Sequence, residues 1–186
     1  MNSNKTRVTA VTIESKRLYL RLLSAQDYEM YLQDNPALEK KLGLTLSREH
    51  LDPATLGTLR WNLKRGQSNL QEYSWYGLWL LVLKDEGRSV GSAGFIGPPD
   101  PDGEVELHYG TDSRDRNCGY MSEAVAALCS WAFLDLRTVL ITAEISRDNR
   151  ASQKVVQRCG MTILEENSKT QVWFLKRSES KEISGK

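Results

Sequence analysis

Two arginines and a glycine lie close together in one polar segment of the chain and could bind an anion. The segment covers residues 111–118 and contains Arg114 and Arg116, and Gly119 follows it directly. An apolar pattern of helical period begins after Gly119, and the first N–H groups of a helix have no partner within it. These N–H groups, the helix dipole and the two guanidinium groups suit a phosphate. The alternative is an ordinary strand-to-helix turn with solvated arginines.

Three side chains ahead of this segment could move a proton. Glu104, Glu106 and His108 alternate with apolar residues, which predicts a β-strand with these three on one face. A carboxylate with a pKa near about 4.3 becomes an effective base for an amine only if burial raises that pKa. The alternative is a solvated strand face that takes no part in chemistry.

The remaining patterns indicate the elements that position these residues. Besides the strand over 104–109 and the helix over 120–134, the sequence predicts strands at residues 17–23, 75–84, 89–96, 138–145, 161–164 and 171–176. Helices occupy the stretch between the first two strands, and one more is predicted over Arg150–Arg158, capped by Asp148 or Asn149. This order predicts a mixed α/β (α+β) fold, with a mostly antiparallel sheet of six to seven strands flanked by helices.

The helical block is expected to end near residues 64–65, with Gly66 as its stop. A polar loop at residues 67–73 follows, and four aromatic residues flank it. They could line a substrate pocket, or they could belong to the hydrophobic core. They are Trp61, Trp75, Tyr76 and Trp79.

Composition limits the class of protein. With 186 residues, 40% hydrophobic and 26% charged, the chain has the size and make-up of one globular domain. We expect that domain over residues 13–177, with a flexible N-terminus (1–12) and a flexible tail (178–186). A net charge of +1 gives no electrostatic footprint for nucleic acid or for an anionic membrane, so we expect neither as a partner. The monomer and the homodimer both stay open.

The cysteines and the N-terminus bear on location. The three cysteines have no metal-ligand spacing, so we expect no metal, and Cys129 and Cys159 are expected to be small buried residues. An odd number of unpaired cysteines favours a reducing compartment. The polar N-terminus lacks an apolar stretch of signal-peptide length. These features predict a cytoplasmic protein.

Four motifs occur in the order found in one enzyme family. Arg114-Asp-Arg-Asn-Cys-Gly119 resembles the R/Q-x-x-G-x-G/A pyrophosphate loop of the GNAT acetyltransferase superfamily. The next residues, 120–124, resemble the G-Y-x-T/S-E-A continuation of its ribosomal-protein N-terminal acetyltransferase branch. Residues 14–23 resemble the opening E-T-x-R-L-x-L-R-x-L of that branch, and residues 148–161 resemble its N-x-x-S…G-F segment. The resemblance covers about residues 13–177.

The chain departs from this family at one position of the loop. Asn117 stands where the family has its first loop glycine. Asparagine is the non-glycine residue that best tolerates a positive φ, so we expect the loop geometry to be kept.

The resemblance implies acetyl-CoA as the co-substrate and direct transfer of its acetyl group to a primary amine in a ternary complex. The acceptor is a protein N-terminus or a small-molecule amine. The family's strand before the loop separates from its neighbour and pairs with the pantetheine arm, which assigns Tyr109, Gly110 and Thr111 to the coenzyme, with an N–H near Tyr109 polarising the thioester carbonyl. The pyrophosphate is assigned to Arg114, Arg116, Asn117, Cys118, Gly119 and Tyr120.

The same resemblance assigns the catalytic roles. Glu106 matches a glutamate that acts as a base through water, and Ser152 matches a serine that serves as the acid. Asn149 is expected to position the coenzyme arm. Some relatives have a tyrosine acid where this chain has Val156. The alternative function is a non-catalytic acyl-CoA-binding or regulatory module with the same fold.

Overall fold

The computed structural model describes residues 11–46, 49 and 51–178, and most of the two predicted flexible ends lies outside these residues. The described residues form one sheet of eight strands in the order β1-β2-β3-β4-β5-β6-β8-β7. The strands are β1 (Thr12–Glu14), β2 (Leu18–Leu22), β3 (Trp79–Leu83), β4 (Ser89–Phe95), β5 (Glu104–Thr111), β6 (Leu140–Ser146), β7 (Thr162–Glu166) and β8 (Thr170–Lys176). Only β5 and β6 pair in parallel within this sheet. The mixed, mostly antiparallel fold is confirmed, and the short β1 exceeds the predicted strand count.

Six α-helices flank the sheet in the described part of the chain. They are α1 (Ala25–Gln33), α2 (Asn35–Leu42), α3 (Pro53–Ser68), α4 (Tyr73–Tyr76), α5 (Tyr120–Ala132) and α6 (Arg150–Arg158). The predicted bounds of α6 are confirmed, and Asn149 caps it by accepting from the Ser152 N–H. Among the described residues, no helix has both the length and the apolar character that crossing a membrane requires.

The prediction that Gly66 ends a helix is wrong. Helix α3 continues to Ser68, and Gly66 is buried inside it. A Cβ at Gly66 would lie 3.0 Å from both Tyr73 Cδ2 and Tyr76 Cβ. The absence of a side chain therefore lets α4 pack closely on α3.

The strand predicted from residue 75 begins later, at Trp79, because residues 73–76 form α4. A short apolar run fits a buried helix as well as a buried strand, so the pattern alone could not separate them. Trp75, Tyr76 and Trp79 are all buried. Trp75 lies 5.2 Å from Phe95 and 4.9 Å from Trp131, measured between ring centroids. These three residues belong to the core, whereas Trp61, the fourth of the flanking aromatics, is 47% exposed.

Strand β3 divides the core into two layers. Trp79 and Leu81 belong to the cluster that packs under α5 and α6, whereas Leu80 and Val82 belong to the cluster under α1 and α3. Side chains alternate between the faces of a strand, so β3 is apolar at every position. The sheet is therefore covered on both faces at β3.

Candidate active site

Strands β5 and β6 pair only at their beginnings. Their register runs from Glu104 opposite Leu140 to Glu106 opposite Thr142. Beyond these positions β5 continues to Thr111 and β6 continues to Ser146. The other edge of β5 stays paired with β4 as far as Thr111. An opening therefore forms in the middle of the sheet, between the second halves of two parallel strands.

Backbone groups of β5 point into this opening. The Glu106 C=O accepts from Ile96, and the Asp112 N–H donates to Val90, so even-numbered positions bond toward β4. Successive residues of a strand alternate in direction, so the N–H and C=O groups of Tyr109 and Thr111 face the opening. An extended chain with amide groups could pair with them as an added strand.

The backbone of Gly110, unlike that of Tyr109 and Thr111, does not face the opening. Its carbonyl oxygen lies 2.1 Å from the place that a Cβ at Gly91 would occupy, so its backbone is directed toward β4. Gly91 thus lets β4 and β5 approach closely at this position. Nothing lies within 4 Å of the position that a Cβ on Gly110 would take.

The loop after β5 has the geometry expected for binding an anion. Asn117 has a φ of 63° and Gly119 a φ of 78°, which confirms that Asn117 takes the left-handed conformation of a glycine. Gly119 occupies the N-cap position of α5 and has no side chain that could accept from the first-turn N–H groups. These donors, with the exposed Arg114 and Arg116, match the phosphates of a coenzyme.

An ion pair between the buried Asp115 and Arg88 stabilises this loop. Asp115 is 4% exposed, and Arg88 Nη1 donates to both of its carboxylate oxygens over 2.9 Å. Arg114 Nε lies 3.3 Å from Asp115 Oδ2. The arrangement holds the turn between β5 and α5 against the β3–β4 hairpin.

The far side of the opening is formed by the first turn of α6. The Tyr109 hydroxyl donates to the Ser152 carbonyl oxygen over 3.0 Å. Ser152 is partly buried, and Asn149 is exposed beside it. Burial raises the pKa of Tyr109, so its phenol stays protonated at neutral pH. The structure thus brings Tyr109, Asn149 and Ser152 together, although residues 109 and 152 are 43 positions apart.

The two candidate bases differ in their surroundings. The Glu106 side chain is exposed on β5, and partial desolvation together with the negative charges of Glu144 and Glu104 raises its pKa. Burial lowers the pKa of His108 to about 4. The Asn62 amide nitrogen donates to the Phe95 carbonyl and lies 3.4 Å from His108 Nε2.

These surroundings make His108 a weak base. Its lowered pKa keeps the imidazole neutral at pH 7, and in the tautomer with the proton on Nδ1 the Nε2 atom can accept from the Asn62 amide nitrogen.

A cavity of about 780 Å³ lies on the face of the sheet that α1 and α3 cover. His108, Tyr109, Gly110 and Thr111 form its floor, and Tyr31 and Thr58 are part of its wall. The flanking aromatics Trp61, Trp75, Tyr76 and Trp79 are not among its lining residues. Since Tyr109 and Thr111 also face the opening, the cavity and the opening meet at the second half of β5.

The sequence patterns missed one partner of the loop. Arg17 donates to Glu123 over 2.7 Å and to the Cys118 carbonyl over 3.0 Å. Both Arg17 and Glu123 belong to motifs noted in the sequence, but nothing in the linear pattern shows that they meet. Cys118 is exposed, and Cys129 and Cys159 are buried as expected.

Known proteins share this architecture. The model of the acetyltransferase (GNAT) domain matches residues 17–162. The uncharacterized N-acetyltransferase YjdG of Bacillus subtilis (strain 168) is 34% identical over 96 residues, which are 52% of this chain and 57% of that protein. The match thus spans less than two thirds of that relative.

Two solved structures illustrate the likeness of the fold. Ribosomal-protein-S5-alanine acetyltransferase from Vibrio fischeri has a TM-score of 0.63 at 18% identity, with 91% of this chain and 98% of that chain covered. RimL, a ribosomal L7/L12 alpha-N-protein acetyltransferase in complex with coenzyme A, has a TM-score of 0.62 at 17% identity, with 89% and 98% covered. The domain match extends over most of the chain and includes the opening, the loop and α5, and the chain therefore belongs to the GNAT acetyltransferase family.

Proposed function

We propose that this protein is an acetyl-CoA-dependent N-acetyltransferase that acts on a primary amine by direct attack in a ternary complex. The observation that carries the proposal is the shared wall at Tyr109–Thr111. On one side, the backbone groups of Tyr109 and Thr111 face the opening between β5 and β6. On the other side, the same residues form the floor of the cavity. A donor bound in the opening and an acceptor bound in the cavity would therefore meet at one place.

The donor is acetyl-CoA, which supplies an activated acetyl group and a thiol leaving group. The loop around Asn117 and Gly119 offers backbone N–H groups for its pyrophosphate, and Arg114, Arg116 and Tyr120 flank them. Tyr109 and Thr111 offer backbone groups to the pantetheine arm, and the Tyr109 N–H is directed to the side where a thioester carbonyl would be polarised. Asn149 holds the first turn of α6 on the far side of the opening.

Two side chains would handle the protons. Glu106 accepts the amine proton through a water molecule, because its raised pKa makes it a stronger base than a carboxylate with the usual pKa. His108 orients the acceptor rather than accepting its proton, since burial lowers its pKa to about 4. The Ser152 hydroxyl donates a proton to the leaving sulfur, and Val156, which is fully buried, leaves no other acid at that position of α6.

The acceptor is a protein N-terminus or a small-molecule amine. A cavity of about 780 Å³ lies within the range of roughly 300–1,000 Å³ that is usual for small-ligand sites. That volume holds a terminal residue and its neighbour, or a compact amine. The ribosomal-protein acetyltransferases of similar fold act on protein amines, which favours testing N-terminal peptides first.

The experiment that tests the function is calorimetric titration with acetyl-CoA and with CoA, followed by a transfer assay on a panel of amines and N-terminal peptides. We expect micromolar binding that the Gly119→Trp variant loses. Gly87→Trp is the matched control, because Gly87 also has a positive φ, of 60°, but lies in the β3–β4 hairpin. No binding by the folded wild type would contradict the proposal. Binding without any transfer would support the non-catalytic module instead.

A further inference from the structure

We propose that Arg17 is a positioning residue for the coenzyme, and that together with Glu123 it fixes the orientation of the Cys118–Gly119 peptide. This inference rests on the proposed function, because it concerns how the loop presents itself to acetyl-CoA. It assigns a role to a residue of the N-terminal strand region, far in sequence from the loop. Arg17 and Glu123 are separated by 106 positions in the sequence.

The contacts form a closed cluster. Arg17 Nε donates to Glu123 Oε2 over 2.7 Å, and the Arg17 backbone N–H donates to Glu123 Oε1 over 2.6 Å. The Ser15 hydroxyl also donates to Oε1, over 2.7 Å. Arg17 Nη1 donates to the Cys118 carbonyl over 3.0 Å, and its guanidinium carbon lies 4.5 Å from the centre of the Tyr120 ring. Glu123 thus anchors Arg17, and Arg17 holds the loop.

The contact with the Cys118 carbonyl has a consequence for the next N–H group. A peptide unit is planar and trans, so the Cys118 C=O and the Gly119 N–H point in opposite directions. Because Arg17 holds the carbonyl on its own side, the Gly119 N–H is directed away from Arg17 and toward the outside of the loop. This is the direction in which an anion can accept from it.

The peptide needs such support because the loop is able to flip. Asn117 and Gly119 both have a positive φ, and Gly119 has no Cβ to hinder rotation of the preceding peptide. A flipped peptide would turn the Cys118 carbonyl oxygen toward the phosphates and would replace a donor by an acceptor. The Arg17 hydrogen bond stabilises the productive orientation before the coenzyme arrives.

An effect of charge alone and an effect of positioning predict opposite changes in CoA affinity for Glu123→Gln. If only charge mattered, removing the carboxylate of Glu123 near an anion site would strengthen or preserve CoA binding. If positioning matters, Glu123→Gln weakens binding because Arg17 loses its anchor. Arg17→Lys keeps the positive charge but loses the fork that bonds Glu123 and the Cys118 carbonyl together, so it should weaken binding as well.

The test is calorimetric titration of CoA into the wild type, Arg17→Lys and Glu123→Gln, with unfolding curves to verify that each variant is folded. The matched control is Arg137→Lys, which makes the same exchange in an arginine that pairs with Glu72 beyond the other end of α5. We expect Arg17→Lys and Glu123→Gln to bind CoA about tenfold more weakly than the wild type, as loss of a charge-assisted hydrogen bond implies. The control should bind like the wild type. With acetyl-CoA as substrate, KM should rise and kcat should change less than about twofold.

Unchanged CoA affinity in Arg17→Lys or Glu123→Gln overturns the inference while the proposed function stands. A wild-type protein that binds no CoA overturns the proposed function and this inference together. If Arg17→Lys or Glu123→Gln does not fold, a folded Arg17→Gln variant replaces it. The NMR signal of its Gly119 amide then reports the orientation of the Cys118–Gly119 peptide in the absence of coenzyme. A wild-type-like chemical shift there would show that Arg17 does not orient this peptide.

Discussion

The hydroxyl of Tyr109 donates to the carbonyl oxygen of Ser152, and this bond joins the two sides of the opening between β5 and β6. It uses the backbone of Ser152 and leaves the serine side chain free of this contact. The structural role and the proposed chemical role of this residue can therefore be separated by two substitutions.

Ser152→Ala should lower kcat by about 10²-fold if its hydroxyl protonates the leaving sulfur, because that is a usual contribution of a positioned general acid. Its free energy of unfolding should change by less than about 0.5 kcal/mol, since the carbonyl contact with Tyr109 is kept. Steady-state kinetics and urea unfolding provide the two values. An unchanged kcat would remove Ser152 from the mechanism.

Tyr109→Phe is the counterpart of that variant. It removes the hydroxyl that connects the two sides of the opening, and it leaves the Ser152 carbonyl without this donor. The free energy of unfolding should fall by about 1 kcal/mol, the usual net contribution of one hydrogen bond. The same urea titration measures it, and an unchanged midpoint would mean that the bond does not stabilise the native state.

Glu106→Gln should change the dependence of kcat/KM on pH. Reaction requires the neutral amine, whose pKa is about 8 for an N-terminus, and a deprotonated Glu106, whose pKa lies above its usual value. As pH falls, log kcat/KM should therefore decline with a slope of about one below pH 8 and about two below the pKa of Glu106. The variant should be slower and keep a slope of about one throughout. A wild-type profile of single slope down to pH 4 would argue against Glu106 as the base.

The sequence predicted the elements whose signals are local. The cap and both ends of α6 agree with the pattern because Asn149, the apolar period and the final glycine lie within a dozen residues of one another. The change from strand to helix around Gly119 was equally visible. Even the left-handed conformation of Asn117 followed from the residue type and its place in the loop motif.

Features that depend on distant contacts were not visible. The separation of β5 from β6 was implied only by the resemblance to a family, because it depends on where two strands stop pairing and no residue type marks that point. The pairing of Arg17 with Glu123 joins two ends of the domain, and the cavity wall combines α1, α3 and β5. The sequence pattern predicts strand where α4 lies, because an apolar run alone does not distinguish a buried strand from a buried helix.

Asn117 offers a test of the loop conformation. Asn117→Ala should destabilise the protein by about 1 kcal/mol, because alanine adopts a positive φ less readily, and it should weaken CoA binding. Asn117→Gly restores the residue that the family has at this position, and it should bind CoA at least as tightly as the wild type. Thermal unfolding measures the stability of the two variants, and calorimetry measures their CoA affinity. If the alanine variant equals the glycine variant in both, the positive φ of residue 117 limits neither stability nor binding.

Glu123 should make the stability of the protein depend on pH in the acid range. Burial alone would raise the pKa of Glu123, but the Arg17 N–H, the Ser15 hydroxyl and the Arg17 guanidinium outweigh it and hold the pKa below the usual value of 4.5. A carboxylate with a lowered folded pKa stabilises the native state above its unfolded pKa, and this contribution is lost as pH falls through the folded pKa.

Glu123→Gln should therefore lower the free energy of unfolding at pH 7 by about 1 kcal/mol, a modest value because Arg17 is partly exposed and solvent screens the pair. The difference from the wild type should shrink below pH 4.5 and vanish once Glu123 is protonated in both states. Glu165→Gln, at an exposed position of the edge strand β7, is the matched control and should change little at either pH. Urea unfolding at pH 7 and at pH 3.5 measures all three proteins. A difference between Glu123→Gln and the wild type that persists unchanged at the lower pH would show that packing, and not the charge of Glu123, stabilises this end of α5.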